Sequence, residues 1–391
     1  MTRILWPALL VAAALASGSP ARADQDAPAC VPAGVWVEPG AAAPLARDGL
    51  LARAAASGMV ILGETHDNPE HHLWQLQTIA ALHARGGAVV LGFEMFPRRV
   101  QSVLDAWVAG ELDQAAFLEA VEWDRVWGFD AALYMPLFDF ARINRVPMVA
   151  LNVDRSLIAT VREAGWDAVP EADREGVSDP APPSAVYRDE LSQVYDEHLE
   201  RAGAAPDADG MERFIDAQLT WDRAMAEALA AAAAAPDEPL VIAVIGGGHV
   251  ENRHGVPYQL AALGRDRMSV LLPWDRGRDC AELTAGLADA VFGLDLPVIH
   301  QAEAGWRPRL GVMIETVDGV LRVLEVVAGS VAEVAGIKAD DEIVSAAGVA
   351  IVEADELIAV IGRQAPGTWL PLTLNRGGQS RDVVAKFQGA P

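Results

Sequence analysis

Val60-Ile61-Leu62-Gly63-Glu64-Thr65-His66 and, far downstream, Val241-Ile242-Ala243-Val244-Ile245-Gly246-Gly247-Gly248-His249 share one design: an apolar run, a glycine, and a histidine three residues later. Runs without polar alternation read as strands buried on both faces, which is the habit of parallel sheets. The glycine lets each strand turn sharply and present an imidazole at its carboxyl end. Open α/β sheets bind their ligands at that end, so two distant tips are expected to meet over one pocket.

Working outward, the same logic assigns strands at Met59–Leu62, Ala88–Phe93, Pro147–Leu151, Leu240–Ile245 and Met268–Leu272. Between them lie helices at Leu45–Ser57, from Asn68-Pro69 to His83, at Pro97–Ala109, Asp113–Val121 and Asp130–Asn144, and from Gly255 to Leu263. This alternation predicts an α/β fold, a mostly parallel sheet flanked by helices. Residues 155–235 are helical and acidic and read as a helical subdomain, with long helices at Tyr187–Arg201 and Met211–Ala235. Residues 280–302 read as a helix and connector. Beyond about residue 305 the composition shifts to short β-branched runs and Gly turns, which marks a second, small mixed α/β domain.

The chain has 391 residues, 52% of them hydrophobic, and a formal charge of −25. Such an acidic surface argues against nucleic acid or an anionic membrane as partner. Arg3, the apolar run Ile4–Leu15, the breakers Ser17–Pro20 and Ala21-Arg22-Ala23 read as a secretory signal over residues 1–23. A Pro-rich segment, 24–44, follows it. No later run is long enough to be a transmembrane segment, so the mature chain is expected to be periplasmic or secreted, and soluble. Cys30 lacks a lipobox before it. In an oxidising compartment it can pair with Cys280 and tie the N-terminal segment to the end of the main domain.

Four strand tips would carry the chemistry: Glu64 and His66, Glu94, Asn152, and His249. Gly63, Gly246, Gly247 and Gly248 supply close backbone approach, and Arg253 and His254 support the pocket. Histidines and carboxylates so grouped can bind a divalent metal ion, activate a water, or work as base and acid. The triple glycine lacks the Lys-Ser/Thr and the G-x-G-x-x-G spacing of phosphate loops. His71 and His72, in a helix's first turn, are expected to be structural. Trp123, Trp127, Phe129 and Tyr134 form an aromatic stretch that can be core or can line a flat cofactor pocket, with Tyr134 and Tyr258 as haem-ligand candidates.

In order, ILGETHDNPEHH (61–72), GFEMFPR (92–98), PMVALN (147–152) and IGGGHVENRHGVP (245–257) resemble the ChaN-like haem-binding family of the haem-binding uptake/Tiki superfamily. The resemblance covers about 45–302. It implies an exported haem- or iron-binding protein linked to haem and iron uptake, with homodimers enclosing haem between subunits. The wider superfamily also holds metal-dependent proteases and hydrolases with paired Gly-x-x-His motifs and a glutamate. Glu64, His66, Glu94 and His249 fall on those positions and would be catalytic or metal-binding in that alternative. Residues 305–388 resemble a PDZ domain. Arg309-Leu310-Gly311-Val312 is similar to its carboxylate loop, and VLEVVAGSVAEVAGIKADDEIVSAAGVAI (323–351) to its core. That resemblance implies that a peptide or protein C-terminus adds a strand at Leu310, Gly311, Val312 and Met313.

Overall fold

The computed structural model describes residues 30–202, 208–295, 308–317, 319–362, 364 and 367–387. The expected signal, the segment before Cys30 and the connector from 296 to 302 lie outside these residues. The chain divides into two compact units, Met1–Asp295 and Leu296–Pro391.

The first unit opens with β1 (Trp36–Glu38), β2 (Ala43–Leu45) and α1 (Arg47–Ala56). There follow β3 (Met59–Glu64), α2 (Pro69–His83), β4 (Val89–Pro97), α3 (Gln101–Ala109), α4 (Gln114–Ala120), α5 (Trp123–Val126) and α6 (Ala131–Asn144). Then come β5 (Met148–Asn152), α7 (Arg155–Ala164), α8 (Ala185–Ala202), α9 (Ala208–Ala233), β6 (Leu240–Gly246), α10 (Val256–Ala262), β7 (Ser269–Asp275) and β8 (Ala290–Leu294). One sheet takes the order β2-β1-β8-β7-β3-β6-β4-β5. Every pairing from β8 to β5 is parallel, and β1 joins β8 and β2 antiparallel.

The unbroken apolar strands follow from coverage on both faces. Along β3, Val60 and Leu62 enter a core with Trp74, Ile79 and Phe138, while Met59 and Ile61 enter the opposite core with Met225, Leu229 and Leu260. Period-two geometry distributes one apolar run between two cores, and each large side chain so buried contributes about 1.5–3 kcal/mol. Local signals set the helix starts. Asn68 accepts from the backbone N–H of Glu70, and Pro69 occupies the first turn.

Two expectations need correction, at residues 280–302 and at the start of α1. Residues 280–302 do not begin with a helix: a short turn, Cys280–Glu282, leads to β8, whose five residues are too few to show a period. The Pro-rich segment contributes β1 and β2, and Trp36 and Val37 are buried at the sheet edge. Helix α1 begins at Arg47 rather than Leu45, because Leu45 ends β2. Cys30 and Cys280 form a disulfide with a Cα–Cα distance of 5.8 Å.

The second unit comprises β9 (Val312–Val317), β10 (Val320–Val326), α11 (Val331–Val334), β11 (Glu342–Ala346), β12 (Val349–Ala350), α12 (Ala354–Gly362), β13 (Trp369–Arg376) and β14 (Gln379–Lys386). Its antiparallel sheet runs β14-β13-β11-β10-β9, with β12 beside β11. Leu321, Ile343, Leu357, Leu372 and Phe387 fill its core. Buried Asp341 is held by the Arg376 guanidinium and accepts from the backbone N–H of Lys338.

Candidate functional site

Neighbouring strands β3, β6, β4 and β5 bring their carboxyl ends together. Glu64 is the last residue of β3 and stands opposite Gly246 of β6. Two residues further on, His66 lies over that glycine. A Cβ on Gly246 would meet His66 Cε1 at 2.6 Å, so only glycine fits there. Gly63 similarly packs against Leu272 with no room for a side chain. Gly247 and Gly248 form a 3-10 turn that ends at His249.

Glu64 is buried and fully engaged. It accepts from His66 Nδ1 at 2.9 Å, Gln75 Nε2 at 3.0 Å and the Tyr134 hydroxyl at 2.9 Å, with His72 Nδ1 at 3.3 Å. Burial alone would raise its pKa, but the bonds and charges of His66 and His72 outweigh it and hold Glu64 at about 2. An ionised carboxylate only accepts, so His66 carries its proton on Nδ1. Burial opposes charge on His66, but the Glu64 bond prevails and raises its pKa. His71 accepts from the Thr65 N–H and donates to Asp275, and His72 donates to the His66 carbonyl. Both are buried braces of the turn.

His249 has a different setting. Its Nδ1 lies 2.6 Å from Asp222 and 2.9 Å from the Gln218 amide, both on α9, and its Nε2 is 3.5 Å from Glu94. Tyr187 of α8 donates to the other Asp222 oxygen at 2.9 Å. Glu94 accepts from the Gly246 N–H at 2.5 Å. Burial works against the His249 charge, yet Glu94 and Asp222 outweigh it and raise its pKa to about 9. The proton of this cluster sits on the imidazole.

A cavity of about 260 Å³ opens over these tips. His66, Glu94, Asn152 and His249 line it. Trp127 and Phe129 wall it, their ring centres 4.6 and 5.3 Å from that of His66. Asn152 donates to the Glu94 carbonyl. Tyr134 is wholly buried with its hydroxyl on Glu64, and Tyr258 is exposed on α10. Neither lines the cavity. Arg253 pairs with Asp289 and His254 with Glu190, both away from it. Among the described residues no group of three or more histidine, cysteine or acidic side chains is arranged to hold a metal ion. The physical reason is that the acids are spent on imidazoles and on backbone N–H groups.

Asp222, Gln218 and Tyr187 have no motif of their own. A signal for Asp222 does exist: it lies three, four and seven residues before Met225, Ala226 and Leu229, on the buried stripe of α9. An acid on such a stripe needs a partner. In the second unit Leu310 is buried, Gly311 takes a positive φ of 83°, and Val312 and Met313 begin β9, the sheet's edge strand.

Residues 50–260, more than half of the chain, match the family model described as haem-binding uptake, Tiki superfamily, ChaN. The chain belongs to this family. Its ChaN-like region also resembles the solved structure of cofacial haem binding to ChaN of Campylobacter jejuni, at 16% identity and a TM-score of 0.51. That match covers 66% of this chain and 95% of the other, and it shows a shared fold. Residues 308–386 match the PDZ domain model. Over 22% of this chain there is a likeness to a serine endoprotease from Yersinia pestis, covering 30% of it at 25% identity and a TM-score of 0.20. No curated protein matches the chain. Among the described residues no helix is long and apolar enough to cross a membrane.

Proposed function

We propose that this ChaN-family protein is exported, binds haem at the strand-tip cavity in the service of haem or iron uptake, and uses its PDZ domain to engage a peptide C-terminus. The observation that carries the haem reading is His66. Its Nδ1 is fixed by Glu64, its side chain is 30% exposed, and its ring packs beside Trp127, edge-on, and Phe129, tilted. An imidazole oriented by a carboxylate through one nitrogen is a common way to present the other to a metal. His249 is less suited, because both of its nitrogens face carboxylates, Asp222 and Glu94. His66 would therefore hold the iron, and haem would supply redox or carrier chemistry when bound. The cavity is smaller than the roughly 300 Å³ at which small-molecule pockets begin. One copy cannot enclose a macrocycle there, which favours a homodimer with haem between its subunits.

Export is supported by the Cys30–Cys280 disulfide, a bond that persists in oxidising compartments. Peptide binding is supported by β9, whose outer edge is free to pair among the described residues. Haemin titration tests the central claim. A Soret shift in the wild-type protein that is lost in His66→Ala is expected; no shift in the wild type overturns it.

A further inference from the structure

The cavity also has a charged side. Arg99, Arg125 and Arg155 line it, in a chain whose formal charge is −25. Their partners differ. Arg99 is satisfied by Glu122 at 2.6 Å and Asp154 at 2.7 Å. Among the described residues Arg125 pairs only with Glu122, which it shares with Arg99, at 2.6 Å, and it is largely exposed. Arg155 has no carboxylate among the described residues; its one side-chain bond is a long 3.4 Å contact to the Trp127 carbonyl. The two acids on the cavity wall are already engaged, Asp154 by Arg99 and Glu94 by His249 and the Gly246 N–H. A guanidinium without a carboxylate partner, Arg155, and the exposed Arg125 thus stand at this rim, next to an aromatic wall of Trp127, Phe129 and Trp221.

We infer that Arg155 and Arg125 form a carboxylate clamp, so that the cavity selects a flat aromatic ligand with an anionic edge. Resting on the haem reading, this assigns the haem propionates to these two arginines and the ring to the aromatic wall. Guanidinium groups match carboxylates geometrically, and their charge-assisted bonds are stronger than neutral ones.

The test compares metal-free protoporphyrin IX with its dimethyl ester, read by quenching of tryptophan fluorescence, so that iron ligation plays no part. The free acid is expected to bind wild-type protein about tenfold or more tighter than the ester. Arg155→Ala with Arg125→Ala should bring the free acid and the ester to equal affinity, and added salt should shrink the preference of the wild type. Exposed Arg265→Ala, which removes the same charge elsewhere, should preserve it. Equal binding of acid and ester by the wild type, persistence of the preference in the double variant, or no porphyrin binding at all overturns the clamp. The haem reading fails separately: the Arg-dependent preference would remain, but haemin would give no Soret shift dependent on His66. A His66-dependent shift without an acid preference would leave haem binding standing and remove the clamp.

Discussion

His66 and His249 end the same Gly-x-x-His pattern on strands that lie side by side, yet they are held by different means. His66 takes its carboxylate from its own strand end, two residues back, and its ring lines the cavity. His249 takes its partners from α9 and β4 and is bracketed on both nitrogens. One imidazole is presented and the other is locked. A repeated local motif thus fixes where a side chain emerges, whereas the tertiary partners fix its charge and its freedom to act.

The strongest way to break this contrast is Asp222→Ala. It leaves a buried imidazolium with one acid and strands the Tyr187 hydroxyl, so unfolding free energy should fall by about 3–5 kcal/mol. Urea denaturation at neutral pH reads this, and Asp222→Asn should cost less.

Next comes pH. An imidazolium with a folded pKa of about 9 against an ordinary 6.5 contributes stability that is complete below pH 6.5. That contribution, about 3 kcal/mol, disappears as pH rises through 9. The decline in stability over that interval should be absent from His249→Gln. An unchanged slope in the variant would show that the proton does not reside on His249.

Gly246→Ala probes the contact between the tips. Its methyl must displace the His66 ring, at about 1–3 kcal/mol, and haemin affinity should fall with little change in the pH slope. The smallest effects are expected from paired hydroxyl deletions. Tyr134→Phe and Tyr187→Phe each remove one bond to a buried carboxylate, about 1–2 kcal/mol. Only the first should alter haemin binding, because only Tyr134 braces the acid that orients His66.

These contrasts also explain what the sequence could and could not disclose. The strands of the parallel sheet were legible because burial on both faces leaves continuous apolar runs, as in Val60-Ile61-Leu62 and Val241–Ile245. β8 was not, since Ala290-Val291-Phe292-Gly293-Leu294 is short and ends near a segment of changing composition. Glu64, His66, Glu94, Asn152 and His249 could be grouped because parallel strands place their carboxyl ends at one edge. The spacing of Asp222 marks a buried acid on α9, but its partners, His249 and Tyr187, are set only when α8 and α9 fold over the sheet. The tyrosines show the converse error. Tyr134 has the chemistry of a haem ligand, but its hydroxyl is engaged by Glu64 and its ring by the aromatic core.

The pairing of β1 with β8 has a consequence for how the first unit is made. The strand at Trp36–Glu38 emerges early in synthesis, yet its neighbour in the sheet is Ala290–Leu294, and Cys30 must likewise wait 250 residues for Cys280. The parallel strands from β3 to β7 can assemble first, with the leading segment left outside. Closing this long loop demands non-local contacts of the kind that slow folding. A chain interrupted before β8 would carry a completed pocket on an unfinished sheet, with β7 exposed as a sticky edge.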